Sequence, residues 1–339
     1  MNFVDSISTS APASATKGPA RARRAEAVSA TQALEIQPLP RWARPQSPNP
    51  GAAIFAAGAG LALFDQILRG ADGGEPVYAG CLRQRLALKA AESCATLARL
   101  REDAGALRDA EHLPGGGETS PAGRLHRVFR LYAPQGGRLD AAILRAAELI
   151  GLKEAIDASA LAEVATMAPD PVTAAARASA AAMRLCAPAT DAELFAFLVA
   201  DLVLANRLGW ARPVPLLALA LLHPSLRRGA GGKRPRPLDD DWSAAVALAY
   251  GLAVAEAHAL AVDLARRAQK LRAAAPMLRA KGAHRVVDML LADDAVTPAA
   301  AASRAGLSDR AARRLFDRLV ALGAVRELTG RDTFRIYGL

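Results

Sequence analysis

The most constraining feature of the sequence is a close succession of helix starts and stops in residues 297–323. Thr297 precedes a proline and can cap a short helix, and Gly306 permits the tight turn that follows that helix. Ser308 can cap the next helix, which ends at Gly323. The sequence therefore predicts two consecutive helices joined by a tight turn.

The second of these helices, predicted over Asp309–Leu322, has one apolar face, and its other faces are rich in arginine. A further helix is predicted before the pair, at Ala283–Ala292. Two strands are predicted after it, at Ala324–Leu328 and Thr333–Tyr337, with Arg331 exposed in the turn between them. Three helices followed by a two-stranded hairpin are the elements of a winged helix-turn-helix.

The composition extends the helical prediction to the rest of the chain. Hydrophobic residues make up 52% of the 339 residues and aromatic residues only 4%, and the abundance of alanine, leucine and arginine favours helices over strands. An uninterrupted helical pattern covers Trp242–Ala275. We therefore expect a mainly α protein, in which a multi-helix bundle is followed by the C-terminal winged helix-turn-helix.

Three regions follow from these patterns. Residues 1–48 are rich in alanine, serine, proline and arginine and lack apolar periodicity, so we expect a disordered basic tail. Residues 49–275 are expected to form an all-helical body that ends in a long connector helix. Residues 276–339 are expected to form the winged helix-turn-helix.

The positive charge of the chain is concentrated near its C-terminus. Against a net charge of +10, the counts of Lys+Arg and of Asp+Glu are 6 and 3 in residues 1–48, 22 and 23 in 49–263, and 15 and 7 in 264–339. The last quarter therefore carries +8, which is the local footprint expected of a surface that binds an acidic polymer. Together with the winged helix, this distribution predicts that the protein binds double-stranded DNA.

The predicted DNA contacts divide between base edges and phosphates. A helix of this length enters the major groove, and Arg310 and Arg314, one turn apart near its start, are the candidates for base contacts. The remaining candidates are cations and capping hydroxyls expected to contact phosphates: Thr297, Ser308, Arg313, Arg318, Arg331 and Arg335.

Charged side chains in the helical body support an alternative function. They are Arg85, Lys89, Glu102, Asp103, Arg108 and Asp109. Gathered in one place, they would suit a helical enzyme that acts on a phosphorylated or nucleotide substrate, although such clusters are more often structural ion pairs. A protein-interaction scaffold is a third possibility, and we do not expect the protein to be an enzyme.

The sequence indicates no cofactor and no metal site. Its five histidines, His112 among them, are isolated from one another, and its three cysteines show no CxxC pair. The longest apolar run, Ala52–Phe64, is too short to span a bilayer, and no secretory signal is recognisable. We expect a cytoplasmic protein without a membrane partner.

Several segments resemble a bacterial family known as domain of unknown function 1403. The resemblance covers residues 50–339 and implies no activity. The segments that carry it are residues 82–91, residues 101–103 with 107–109, and the tail at 309–315 and 328–331.

The tail is also similar to the winged helix appended to some Fic-type adenylyltransferases, a resemblance that implies a DNA-binding module. The transferase motif, His-Pro-Phe followed by Gly-Asn-Gly-Arg, is absent, because His223-Pro224 is followed by Ser225-Leu226. The resemblance therefore does not imply Fic catalysis.

The sequence as a whole favours a DNA-binding protein, either a transcriptional regulator or a plasmid- or genome-maintenance factor, that forms homo-oligomers. Its helical body would then serve oligomerisation or ligand sensing.

Overall fold

Helices make up most of the computed structural model, which confirms the mainly α class. The structure describes residues 36–47, 49–70, 73–112, 120–152, 156–186, 191–227, 232–331 and 333–339. Most of the predicted tail, residues 1–35 and 48, lies outside the described residues, as does Asp332 in the predicted hairpin turn.

Ten α-helices precede residue 275 in the described ranges. They are α1 (Pro50–Arg69), α2 (Ala79–Leu97), α3 (Ala104–His112), α4 (Pro121–Tyr132), α5 (Leu139–Ile150), α6 (Ala158–Thr166), α7 (Pro171–Cys186), α8 (Ala192–Leu208), α9 (Leu217–Ala220) and α10 (Trp242–Ala274). Their ends follow the chain's capping residues. Asn49 accepts two amide hydrogens at the start of α1, and Gly209 ends α8 in the left-handed conformation.

The centre of the body is formed by α8, against which α7 packs, and by the long helix α10. Every residue of α8 from Leu194 to Ala205 is buried, as expected for a helix that is apolar on all sides. Helix α1 lies along α10 at short distance, because a Cβ added at Gly60 would come 2.5 Å from a methyl group of Val254. Small residues thus allow the two longest helices of the body to pack closely.

Residues 36–47, which the sequence analysis assigned to the disordered tail, instead pack against the body. Leu39 and Ala43 are buried, and the ring of Pro45 lies against Gly251 of α10. Apart from a short 3-10 helix at Arg41–Ala43, the segment contains no regular helix or strand. Its apolar residues were therefore not recognisable as part of a core from their spacing.

Two helical stretches satisfy the length and hydropathy criteria for a membrane span, Pro50–Arg69 and Trp242–Met277. In the second stretch, 67% of the apolar window is buried inside the protein, against 44% in the first. The core helix of a soluble protein satisfies the same criteria. Length and composition alone therefore do not assign either helix to a membrane.

The C-terminal segment contains three helices and a small sheet. Its elements are α11 (Ala283–Ala292), α12 (Pro298–Ala305), α13 (Asp309–Ala321), β1 (Arg326–Glu327) and β2 (Tyr337–Gly338). The two strands pair antiparallel in two residue pairs, and Val296 forms an isolated bridge to Tyr337. Both strands are shorter than predicted, since the regular antiparallel pairing covers two residue pairs.

Helix α13 is fixed to the sheet by aromatic stacking. The ring of Phe316 lies 4.4 Å from that of Tyr337, centroid to centroid, with an angle of 13° between the planes. The turn before α13 has Gly306 at φ 66°, the left-handed conformation expected from the sequence. The apolar face of α13 therefore has a fixed position on the sheet, and the opposite face points away from it.

The C-terminal segment and the helical body belong to one compact unit, residues 36–339. Gly80 of α2 lies against the end of α11, where an added Cβ would be 2.6 Å from the carbonyl oxygen of Ala292. Arg85, also on α2, donates a hydrogen bond to the backbone oxygen of Leu339 at 2.5 Å. Helix α2 therefore contacts both the first helix and the last residue of the C-terminal segment.

Candidate functional site

The exposed side of α13 is dominated by arginine. Its four arginines, Arg310, Arg313, Arg314 and Arg318, are all exposed, and none of them pairs with a carboxylate in the described part of the chain. Two exposed carboxylates on the same helix, Asp309 and Asp317, reduce the charge of this surface without removing its positive sign. The sequence-predicted arginines of this helix thus lie on one accessible surface.

The two predicted capping residues occupy their expected positions. The hydroxyl oxygen of Thr297 accepts a hydrogen bond from the amide of Ala300 at 3.1 Å, and that of Ser308 accepts one from Ala311 at 3.3 Å. Each hydroxyl hydrogen is left to donate elsewhere. Ser308 is exposed and Thr297 is half-buried.

The two hairpin arginines that were predicted to contact phosphates differ in their surroundings. Arg331 is exposed, but its Nη2 lies 2.6 Å from the carboxylate of Asp109 on α3. Arg335 is exposed and donates from Nε to the backbone oxygen of Arg331 at 3.3 Å. The hairpin is therefore tied to the helical body through one of the cations that the sequence analysis expected to be free.

A cavity of about 580 Å³ lies beside the contact between α13 and the hairpin. Arg313 and Asp317 line one side of it, and Phe334 and Arg335 line the other. Phe334 is 62% exposed and has a φ of 58°, which is unusual for a residue other than glycine. The sequence did not indicate an exposed aromatic residue here, because Phe334 falls inside a predicted strand.

The six charged residues predicted to cluster in the body do not converge on one site. Lys89 pairs with Glu256 on α10. Glu102 and Asp103 accept hydrogen bonds from nearby backbone amides, at 3.0 and 2.8 Å respectively. These three side chains have separate local roles and provide no common site for a substrate.

The other three members of that set connect the body to the C-terminal segment. Each has a partner beyond residue 290, which their sequence neighbourhood alone did not indicate. The pairs are Arg85 with Leu339, Arg108 with Asp294, and Asp109 with Arg331.

A buried cluster of charges that the sequence analysis did not predict lies beside these contacts. Arg130 on α4 donates to Asp293 at 2.5 Å and to Asp294 at 3.0 Å, both in the loop after α11. Its Nε lies 3.4 Å from the carboxylate of Glu111 on α3. Next along α3, His112 brings one side-chain atom within 4.8 Å of ligand atoms of both aspartates.

The cluster perturbs the acidities of its members. Burial raises the pKa of Asp293 to about 6. At Asp294 the effect of burial is outweighed by Arg130 and by a hydrogen bond with Asp293, so its pKa falls below the ordinary value. Burial, assisted by Arg130, lowers the pKa of His112 to about 4, so the imidazole is neutral at pH 7.

A second cavity, of about 600 Å³, opens onto this cluster. His112, Arg130 and Asp293 line its inner part, and Thr297 and Arg304 from α12 and its cap line another part. His112 also lines the cavity beside α13. The buried charges and the arginine-rich surface are therefore neighbours, connected through a single histidine.

The sequence contained only indirect signs of this cluster. Asp293 and Asp294 were interpreted as the end of a helix, and His112 as an ordinary isolated histidine. Arg130 and Asp294 are 164 positions apart, so no local motif could relate them. The pair of adjacent aspartates after an apolar helix was the one visible signal.

Comparison with known proteins identifies a family but no activity. The family model described as "Protein of unknown function (DUF1403)" matches residues 27–339. No curated protein matches the chain.

Proposed function

The chain belongs to the DUF1403 family, whose description assigns no activity, and we propose a function for it. Residues 276–339 form a winged helix-turn-helix that binds double-stranded DNA. The order of elements supports this proposal. Helix α11, the bridge at Val296, helices α12 and α13 and the two-stranded sheet follow one another as in that motif.

The observation that carries the proposal is the exposed arginine face of α13. The opposite face is buried through Ala312, Leu315, Phe316 and Leu319, so the helix cannot rotate its arginines inward. Cations on an exposed helix of 13 residues suit entry into a major groove. Arg310 and Arg314 remain the candidates for base edges.

Phosphate contacts are proposed around this helix. Arg313 and Arg318 lie on the same exposed helix, Arg335 follows in the hairpin, and the hydroxyls of Thr297 and Ser308 retain a hydrogen to donate. Arg331 differs from the expectation, because its pair with Asp109 must open before it contacts a phosphate.

The proposal extends to the whole protein as a cytoplasmic regulator of transcription or a factor in plasmid or genome maintenance. DNA-binding helices of this kind commonly act in symmetric pairs that contact two half-sites. We therefore propose that the helical body supports a homo-oligomer or senses a ligand. Light scattering of the full chain, which gives the molar mass in solution, tests the first of these roles.

The binding proposal is tested by fluorescence anisotropy of labelled duplex DNA titrated with the full-length protein at several salt concentrations. If Arg313, Arg318 and Arg335 contact phosphates, log K falls with log salt with a slope of roughly −3. Arg314→Ala is expected to weaken binding to a preferred site by about 1 to 3 kcal/mol.

The matched control is Arg177→Ala, which removes an equally exposed arginine from α7 in the body. It should leave both the affinity and the salt slope unchanged. Equal losses of DNA affinity in Arg314→Ala and Arg177→Ala would contradict the proposal, as would an affinity that does not change with salt.

A further inference from the structure

We propose that His112, Asp293 and Asp294 bind a divalent transition-metal cation that joins the helical body to the C-terminal segment. Each of the three offers one ligand atom, and these atoms all lie within 4.8 Å of one another. His112 ends α3 in the body, whereas the two aspartates follow α11 in the C-terminal segment. A cation bound here would therefore be shared between the two parts of the chain.

The hydrogen bonding of the cluster is incomplete in a way that favours a cation. Buried polar atoms in proteins almost always have a partner. Within the described residues, four polar atoms of this cluster are buried without a hydrogen-bond partner: Arg108 Nε, Glu111 Oε2, His112 Nε2 and Asp294 Oδ2. Asp294 is 1% exposed, and its Oδ2 lies 3.6 Å from Arg108 Nε, an ion pair too long for a hydrogen bond.

His126 on α4 is a further buried histidine, but its ring is not part of the group of three ligand residues. Its ring is fully buried, and its Nδ1 lies 3.1 Å from the backbone oxygen of Leu107. Because a carbonyl oxygen only accepts, Nδ1 carries the hydrogen and Nε2 keeps its lone pair, yet Nε2 has no partner in the described part of the chain. Metal-binding histidines are commonly oriented by this kind of bond to a backbone carbonyl.

The ligand atoms of the cluster suit a transition-metal cation. Three carboxylates, those of Glu111, Asp293 and Asp294, face three guanidinium groups, those of Arg108, Arg127 and Arg130, so the ionised groups balance. The preference for a metal therefore comes from the donor atoms and not from an excess of charge. Imidazole nitrogen with carboxylate oxygen is a ligand set typical of zinc, manganese, iron or nickel.

The adjacent cavity supplies a route to the site. His112 and Asp293 line the cavity of about 600 Å³, so the ligand atoms can be reached without unfolding the protein. The sequence indicated no metal site, because its ligands come from two distant segments and match no local motif.

The proposal is tested by isothermal titration of the metal-stripped full-length protein with Zn²⁺, and by absorption spectroscopy with Co²⁺ as the probe. We expect one cation per chain and Co²⁺ bands in the visible region. His112→Ala should weaken Zn²⁺ binding at least about 10-fold and change the Co²⁺ spectrum. The matched control, His284→Ala, removes an exposed histidine of α11 and should change neither.

Thermal unfolding distinguishes a specific site from loss of structure. Zn²⁺ should raise the Tm of the wild type and of the His284→Ala variant, but not that of the His112→Ala variant, whose circular dichroism should remain helical. An Asp294→Asn variant that retains its helical spectrum should behave like His112→Ala. The proposal is overturned if folded wild-type protein binds no Zn²⁺, or if it and the His112→Ala variant bind Zn²⁺ equally.

Discussion

At the scale of single residues, Asp201 of α8 is a carboxyl group buried inside the helical body. It is 1% exposed and accepts hydrogen bonds from the amides of Leu216 and Leu217 and from the hydroxyl of Tyr250, at 3.0 to 3.1 Å. Burial raises the pKa of Asp201 to about 8, although these hydrogen bonds oppose the shift. Asp201 therefore holds the segment before α9 against the two central helices.

This carboxyl group makes stability depend on pH. In the unfolded chain an aspartate has a pKa of about 4, so between about pH 4 and pH 8 the folded protein binds more protons than the unfolded one. The free energy of unfolding should fall with rising pH across this window, by roughly 1.4 kcal/mol per pH unit from this group. Urea unfolding of the wild type and of Asp201→Asn at pH 5, 6 and 7 measures the difference in slope. If the free energy of unfolding changed equally with pH in the two proteins, Asp201 would not be the source of this pH dependence.

At the scale of secondary-structure elements, the close approach of α2 to the end of α11 depends on the absence of a side chain at Gly80. An added Cβ there meets backbone atoms of Ala292 at 2.6 and 2.8 Å, which cannot rotate away as a flexible side chain can. Gly80→Ala should therefore lower the free energy of unfolding by about 1 to 3 kcal/mol.

Gly58→Ala in α1 is the matched control. It adds the same methyl group inside a helix, where no atom lies within 4 Å. It should stabilise the protein by about 0.5 to 1 kcal/mol, because alanine is the better helix former. Denaturant unfolding of both variants measures the two changes, and a neutral or stabilising Gly80→Ala would show that the two elements are not in tight contact.

The elements that could be predicted from sequence are those defined by local signals. The long helix predicted at Trp242–Ala275 is observed at Trp242–Ala274, and α11 has the predicted bounds Ala283–Ala292. Caps, glycine turns and apolar spacing act over a few residues, so one sequence suffices to locate such helices. The strands were predicted too long, because pairing in this small sheet is decided by tertiary packing rather than by composition.

The candidate sites were predictable only in part, for the same reason. The arginines of α13 lie on one helix, and its amphipathic pattern alone predicted their exposure. The partner of Asp109 lies on the hairpin, however, and that of Arg130 in the loop after α11. Contacts between segments so far apart in sequence leave no spacing that a single chain reveals.

At the scale of the whole molecule, the C-terminal segment contacts the body through several polar pairs. One of these pairs involves Arg331, which is proposed to contact DNA. Asp109 on α3 holds Arg331 of the hairpin at 2.6 Å. The body would therefore compete with DNA phosphates for this arginine. Such competition would couple changes in the body to DNA binding.

Asp109→Asn removes that competition and should strengthen DNA binding. The freed Arg331 adds about one phosphate contact, so the slope of log K against log salt should become steeper by about 0.9. Asp140→Asn, which breaks the exposed pair with Arg138 on the body, is the control and should change neither quantity. Anisotropy titrations over a range of salt concentrations provide the measurement, and unchanged binding in Asp109→Asn would remove the proposed role of the pair.

Selection of genomic fragments by the full-length protein tests whether the exposed arginine face of α13 binds DNA. The protein is incubated with sheared DNA from its own genome, and the retained fragments are sequenced. We expect enrichment of fragments that share a common site, and loss of this enrichment when Arg310, Arg313, Arg314 and Arg318 are all changed to glutamine. No enrichment by the folded wild type, or the same enrichment by the fourfold variant, would contradict the claim.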